Sequence, residues 1–201
     1  MQVRRLLTVI CNNDTDWATK LLIAASPLVE ELEVWNVDPE QWLQLQAMPR
    51  LYRLEVNTYV FSIRSDSAIP AENQITSLPE LADRGDEPGG LLWVRTCLDE
   101  EATESLLRAH SRTLREVQLF VGTKTHSIQD PLPRWPWTCS AADLTALVSR
   151  CGLRELRRLV LRRPHRPVWT LSGDFCHRAA ECRQQLHALR GLFPHAKVGR
   201  R

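Results

Sequence analysis

The octapeptide Pro27-Leu28-Val29-Glu30-Glu31-Leu32-Glu33-Val34 recurs 22 residues later as Pro49-Arg50-Leu51-Tyr52-Arg53-Leu54-Glu55-Val56. Each copy reads as a turn residue followed by an apolar-x-x-Leu-x-Val frame. Alternation of apolar and polar residues over such a stretch marks a half-buried strand. A strand repeated at this interval leaves room for one helix between copies, and a unit that small buries its apolar side only by stacking on its neighbours. The chain is thereby restricted to architectures made by translating one strand-and-helix unit.

The frame extends in both directions. Arg4-x-x-Leu7-x-Val9-x-x-Asn12 precedes the duplicated pair, and a helix is predicted from Asp14 or Thr15 to about Ala25, with Trp17, Leu21, Leu22 and Ala25 on its inward face. Asp38-Pro39-Glu40-Gln41 combines an N-cap, a proline at the first helical position and a capping-box glutamine, so a second helix runs to about Met48. Further on the frame resumes as Gly89-x-x-Leu92-x-Val94-x-x-Cys97, Leu114-x-x-Val117-x-Leu119 and Leu156-x-x-Leu159-x-Leu161. Asp99 caps a helix that places Thr103, Leu106, Leu107 and His110 on one side, and Ser140-x-x-Asp143 opens another that carries Leu144, Leu147, Val148 and Cys151 and stops at Gly152. Phe175, Ala179, Cys182, Leu186 and Leu189 form the apolar stripe of a last helix over residues 174–193, and Ala196-Lys197-Val198 reads as a terminal edge strand. Two stretches rich in proline, about residues 60–90 and 123–139, read as enlarged loops within one domain spanning 1–201. Trp135-Pro136-Trp137, in the second, either docks a partner or packs beneath the helix that Ser140 starts.

The expectation is therefore an α/β fold, a right-handed solenoid with short parallel strands on its concave face and helices on its convex face, closed at its end by the last helix. Side-chain alternation then directs the residues between the apolar positions out of the concave face. These are Glu31, Glu33 and Trp35; Arg53, Glu55 and Asn57; Leu91, Trp93 and Arg95; Glu116, Gln118 and Phe120; and Arg158, Val160 and Arg162. Aromatic anchors ringed by charge are what protein-binding hot spots use. The partner-binding surface is accordingly assigned to Glu31, Glu33, Trp35, Glu55, Trp93, Arg95, Glu116, Gln118, Phe120, Arg158 and Arg162.

Charge refines this picture. The net charge of +2 conceals an asymmetry: residues 150–201 hold 13 Arg or Lys against 3 Asp or Glu, and residues 1–149 hold 13 against 21. The Arg154, Arg157, Arg158, Arg162, Arg163 and Arg166 run could meet an acidic peptide or nucleic acid, but the acidic remainder would repel a phosphate backbone. The basic start followed by Leu6-Leu7-Thr8-Val9-Ile10 is too short for a signal peptide, and no run is long enough to span a bilayer. The six cysteines are dispersed through a chain with ample core residues, as expected of free thiols in the cytoplasm or nucleus. Cys97, in the turn after its strand, is expected to be a buried thiol. Cys176, His177, Cys182, His187 and His195 invite a zinc site, yet on one helix Cys176 and Cys182 point about 120° apart, so no metal is assigned. No phosphate-binding glycine loop and no nucleophile with its base are recognisable, so neither an enzyme nor a cofactor is expected.

With Cys97 at the position that closes a strand, and with segments such as Leu106-Leu107-Arg108-Ala109-His110 before Leu114-Arg115-Glu116-Val117 and Cys151-Gly152-Leu153-Arg154-Glu155-Leu156, the chain resembles the leucine-rich repeats of F-box proteins. The resemblance implies the substrate-receptor portion of a ubiquitin ligase, joined through an F-box to a Skp-type adaptor and a cullin. No F-box is visible in this sequence, where the first strand begins within ten residues of Met1. A stand-alone interaction scaffold is the alternative role.

Overall fold

In the computed structural model, described for residues 5–11, 14–57, 78–81, 90–122, 139–162 and 178–201, the repeated octapeptide forms the turn and strand of two adjacent repeats. β2 (Glu31–Trp35) lies beside β3 (Arg53–Asn57) with Glu31 opposite Arg53, Leu32 opposite Leu54 and Val34 opposite Val56. Around this pair seven strands form one sheet, parallel throughout and ordered as in the chain: β1 (Arg5–Ile10), β2, β3, β4 (Trp93–Thr96), β5 (Glu116–Phe120), β6 (Arg158–Arg162) and β7 (Lys197–Arg200).

One backbone contact shows how the unit is translated. The paired N–H groups entering each new strand donate to one carbonyl of the strand before: Tyr52 and Arg53 to Glu30, Leu92 and Trp93 to Tyr52, Arg115 and Glu116 to Leu92, Arg157 and Arg158 to Arg115. The acceptors Glu30, Tyr52, Leu92, Arg115 and Arg157 are thus equivalent positions. Their spacing varies widely because the proline-rich stretches fall between them in the chain, yet the register is held. Hydrogen bonding across a parallel ladder depends on the strand, not on the length of the crossover.

Five helices occur among the described residues: α1 (Thr15–Ala25), α2 (Pro39–Gln46), α3 (Glu100–Ala109), α4 (Ala141–Arg150) and α5 (Ala179–Leu192). Their N-termini follow the sequence signals. Asp14 and Asp99 cap α1 and α3, and Asp38 with Gln41 and Ser140 with Asp143 form the two expected capping boxes. Gln41 is fully buried because its amide also donates to Thr15 O and Thr19 Oγ1, tying α2 to α1. Leu22 of α1, Trp42 of α2, Leu106 of α3, Leu147 of α4 and Leu189 of α5 share one core with Leu32, Leu54, Val94, Val117, Leu159 and Val198 of the sheet. The helical layer therefore lies on one face of the sheet. Between α2 and α3 the segment 78–81 fills the gap, with Pro79 O accepting from Trp42 Nε1 and Leu81 N donating to Ser105 Oγ.

Several expectations need correction. The fourth frame begins two residues later than predicted: Val94 pairs with Leu54 and Thr96 with Val56, so the repeat is Leu91-x-x-Val94-x-Thr96. Leu91, expected to face outward, is 2% exposed in the core, at the place that Leu51 and Leu114 hold in their repeats. β1 pairs Leu6 with Leu32 and then Val9 with Val34, and the bulge between them puts Thr8 in the left-handed region at φ 59°. Trp17, expected inside, is 58% exposed, whereas Ala18 and Leu22 carry the inward face of α1. α5 starts at Ala179, itself exposed, and its stripe is interrupted by the fully buried Gln185. Phe175, Trp135, Trp137, Arg163 and Arg166 lie outside the described residues, as does most of both proline-rich stretches.

Candidate functional site

The second face of the sheet carries the alternate strand side chains, and among the described residues no helix packs on it. Strand alternation and a register of one residue per strand bring the predicted positions into rows that cross the sheet. Glu31, Arg53, Trp93, Glu116, Arg158 and Lys197 form one row; Glu33, Glu55, Arg95, Gln118, Val160 and Gly199 form the next. Trp35, Asn57, Phe120 and Arg162 lie beyond them.

Opposite charges meet directly across strands. Arg53 approaches Glu31 at 3.8 Å, Arg95 approaches Glu55 at 2.9 Å and Arg158 approaches Glu116 at 3.2 Å. Each such pair contributes roughly 0.2–1 kcal/mol to the sheet. Trp93 is held between two cations, with the Arg53 guanidinium 3.8 Å from its ring centre and that of Arg95 at 5.2 Å. Arg162 lies 5.9 Å from the ring centre of Phe120 and donates to Gln118 Oε1 at 2.7 Å, while Gln118 donates to Glu116. At the other end Glu33 accepts from Trp35 Nε1 at 2.8 Å and from Thr8 Oγ1 at 3.1 Å. Tyr52, just before β3, donates to Glu31, and that bond raises the phenol pKa.

Of the eleven residues assigned to the surface, ten are half-buried on this face and Gln118 is buried; Asn57 and Val160, on the same face, are also buried. The acidic-to-basic gradient expected from the sequence is largely neutralised in its middle. What remains is Glu33 near one edge and Arg162, Lys197 and Arg201 near the other, none of these three paired with a carboxylate among the described residues. Burial lowers the Arg162 pKa and the nearby Arg95 charge lowers it further; Glu55 opposes them, and Arg201 and Arg158 add smaller lowering effects. Tyr52 and the terminal Lys197 and Arg201 were missed as members of this surface; continuing the period of two from Lys197 would have found the last two.

The other sequence candidates are dispersed. Cys182 is buried beside the Arg200 guanidinium, His187 and His195 are exposed, and Cys176 and His177 lie outside the described residues. Cys97 is half-buried rather than buried and donates to Asn57 Oδ1 at 3.6 Å. Among the described residues no group of three or more His, Cys, Asp or Glu side chains could hold a metal ion, and no helix is long and apolar enough to cross a membrane. Compared with protein families, curated proteins and solved structures, the chain gives no match.

Proposed function

We propose that the chain is a leucine-rich-repeat solenoid whose open sheet face recognises a protein. The observation that carries this reading is the single backbone contact repeated at Glu30, Tyr52, Leu92, Arg115 and Arg157 with all five helices of the described residues on one side of the sheet. Parallel strands stack about 4.8 Å apart whereas packed helices need about 8–10 Å. A sheet with helices on one face alone therefore bends with its strands inside, and a row of charged and aromatic side chains becomes the floor of a concave groove. The surface suits recognition because its polar groups are preorganised by cross-strand pairs, which lowers the ordering cost of binding.

Within that reading the resemblance to F-box proteins favours the substrate-receptor portion of a ubiquitin ligase. An F-box outside these residues would contact a Skp-type adaptor and, through it, a cullin. Affinity capture followed by mass spectrometry tests both levels. Phe120→Ala, Trp93→Ala and Arg158→Glu should each reduce the proteins captured without a matching loss of folded protein. Capture unchanged by all three removes this face from consideration. Partners that depend on the face, without adaptor or cullin among them, would leave a stand-alone scaffold.

A further inference from the structure

The charge left over on the open face has a definite sign and place. Arg53, Arg95 and Arg158 each face a carboxylate, but Arg162, in the adjoining row, is ion-paired with none among the described residues and donates to the neutral amide of Gln118. The Nε–H groups of both Arg95 and Arg162 are shielded from solvent and make no hydrogen bond. These arginines flank β5 on either side: Arg95 is opposite Gln118, and Arg162 is opposite Phe120. Lys197 and Arg201 add two exposed cations at the same edge. Arg95 has Glu55 as its counter-ion; at Arg162 the shielded donor sits on a cation with no carboxylate in ion-pair reach among the described residues, which is costly, and an incoming anion relieves it.

We infer that this end of the face docks an acidic protein segment, a carboxylate held by Arg162 and its stem lying against Phe120. The inference rests on the recognition reading above and names the chemistry of the partner. Burial and the charges of Arg95, Arg201 and Arg158, which outnumber the one opposing carboxylate, Glu55, support it, since a further carboxylate there would offset them. Glu33, in β2 near the opposite edge, sets the polarity by repelling acidic residues from that end.

The test uses the full chain and two peptides bearing the same neutral fluorophore, one of six glutamates and one of six glutamines, with binding followed by anisotropy. The glutamate peptide should bind, with affinity that falls as salt is raised. Arg162→Gln should weaken it about ten-fold, the effect of losing one charge-assisted hydrogen bond. Arg154→Gln, an exposed arginine in the turn after α4, should leave it unchanged. Equal binding of the two peptides, or wild-type affinity in both Arg162→Gln and Arg162→Glu proteins of unchanged melting temperature, overturns the inference. Complete displacement by an equal concentration of inorganic phosphate also overturns it, in favour of a small-anion site. If the peptide fails while Trp93→Ala still abolishes partner capture, the recognition reading stands alone. If the peptide binds through Arg162 but no sheet-face variant alters capture, the recognition reading is the one that falls.

Discussion

Gln185 offers the sharpest test of how the last unit is attached. Although it interrupts the apolar stripe of α5, it is fully buried, and its amide donates to Gly122 O at 3.0 Å and Cys139 O at 2.7 Å while its carbonyl accepts from Arg200 at 3.0 Å. Replacing it with leucine keeps the volume but orphans two carbonyls and removes an acceptor from a guanidinium. Orphaned buried groups cost about 1–3 kcal/mol each, and the added apolar burial of leucine returns about 1 kcal/mol. The net loss is about 2–8 kcal/mol, which for a chain of this length corresponds to a drop of at least roughly 4 °C in melting temperature. Gln184→Leu, at an exposed position on the same helix, is the control and should change stability by less than about 0.5 kcal/mol. Thermal denaturation followed by circular dichroism measures both. A Gln185→Leu protein that melts within a degree or so of wild type would refute the view that this side chain joins α5 to both ends of the β5–α4 connection.

Trp42 is fully buried, so Trp42→Ala should cost about 3–5 kcal/mol in urea denaturation, and Trp42→Phe less, since it loses chiefly the bond to Pro79 O. Burial pushes the thiol of Cys139 up to about 12, reinforced by Asp143, that of Cys151 up to about 12, reinforced by Glu104, and that of Cys11 up to about 11, reinforced by Asp38. Because the folded values lie above the unfolded one, their stabilisation is complete below about pH 9 and is lost as pH rises from there through 11 to 12. Denaturation midpoints taken across that window should fall, and Cys139→Ala should flatten the fall. Among the described cysteines, the half-buried Cys97 should react first with a thiol reagent at pH 8, and faster labelling of Cys151 would contradict its placement. Removing residues 174–201 takes away α5 and β7, exposes Leu159 and Leu161, and should cause aggregation; a monomeric product with an unchanged melting temperature would make the helix an appendage.

The repeat itself was legible because a strand-and-helix unit writes its period into the chain: apolar residues two apart for the strand, three and four apart for the helix, with Asp38-Pro39 and Ser140-x-x-Asp143 marking where one gives way to the other. That was enough for the elements, their order and the outward set from Glu31 to Arg162 apart from Leu91. Local signals were weakest where two frames fit equally well. The fourth repeat could be framed as Gly89-x-x-Leu92-x-Val94 or as Leu91-x-x-Val94-x-Thr96, and only the ladder to β3, with Val94 against Leu54, chose between them. Trp17 was misplaced for a related reason, since helical spacing defines a stripe but not which side of it meets the sheet; Ala18 and Leu22 took that side. Gln185 was invisible to hydrophobic periodicity, because its burial depends on the carbonyls of Gly122 and Cys139, both far from it in sequence. So, too, with the candidate site. The chain determined which residues stand on the open face, through alternation within each strand. Tertiary structure decided which carboxylate faces which arginine, leaving Arg53, Arg95 and Arg158 paired and Arg162 without a counter-charge, because cross-strand partners are set by register between units up to about forty residues apart.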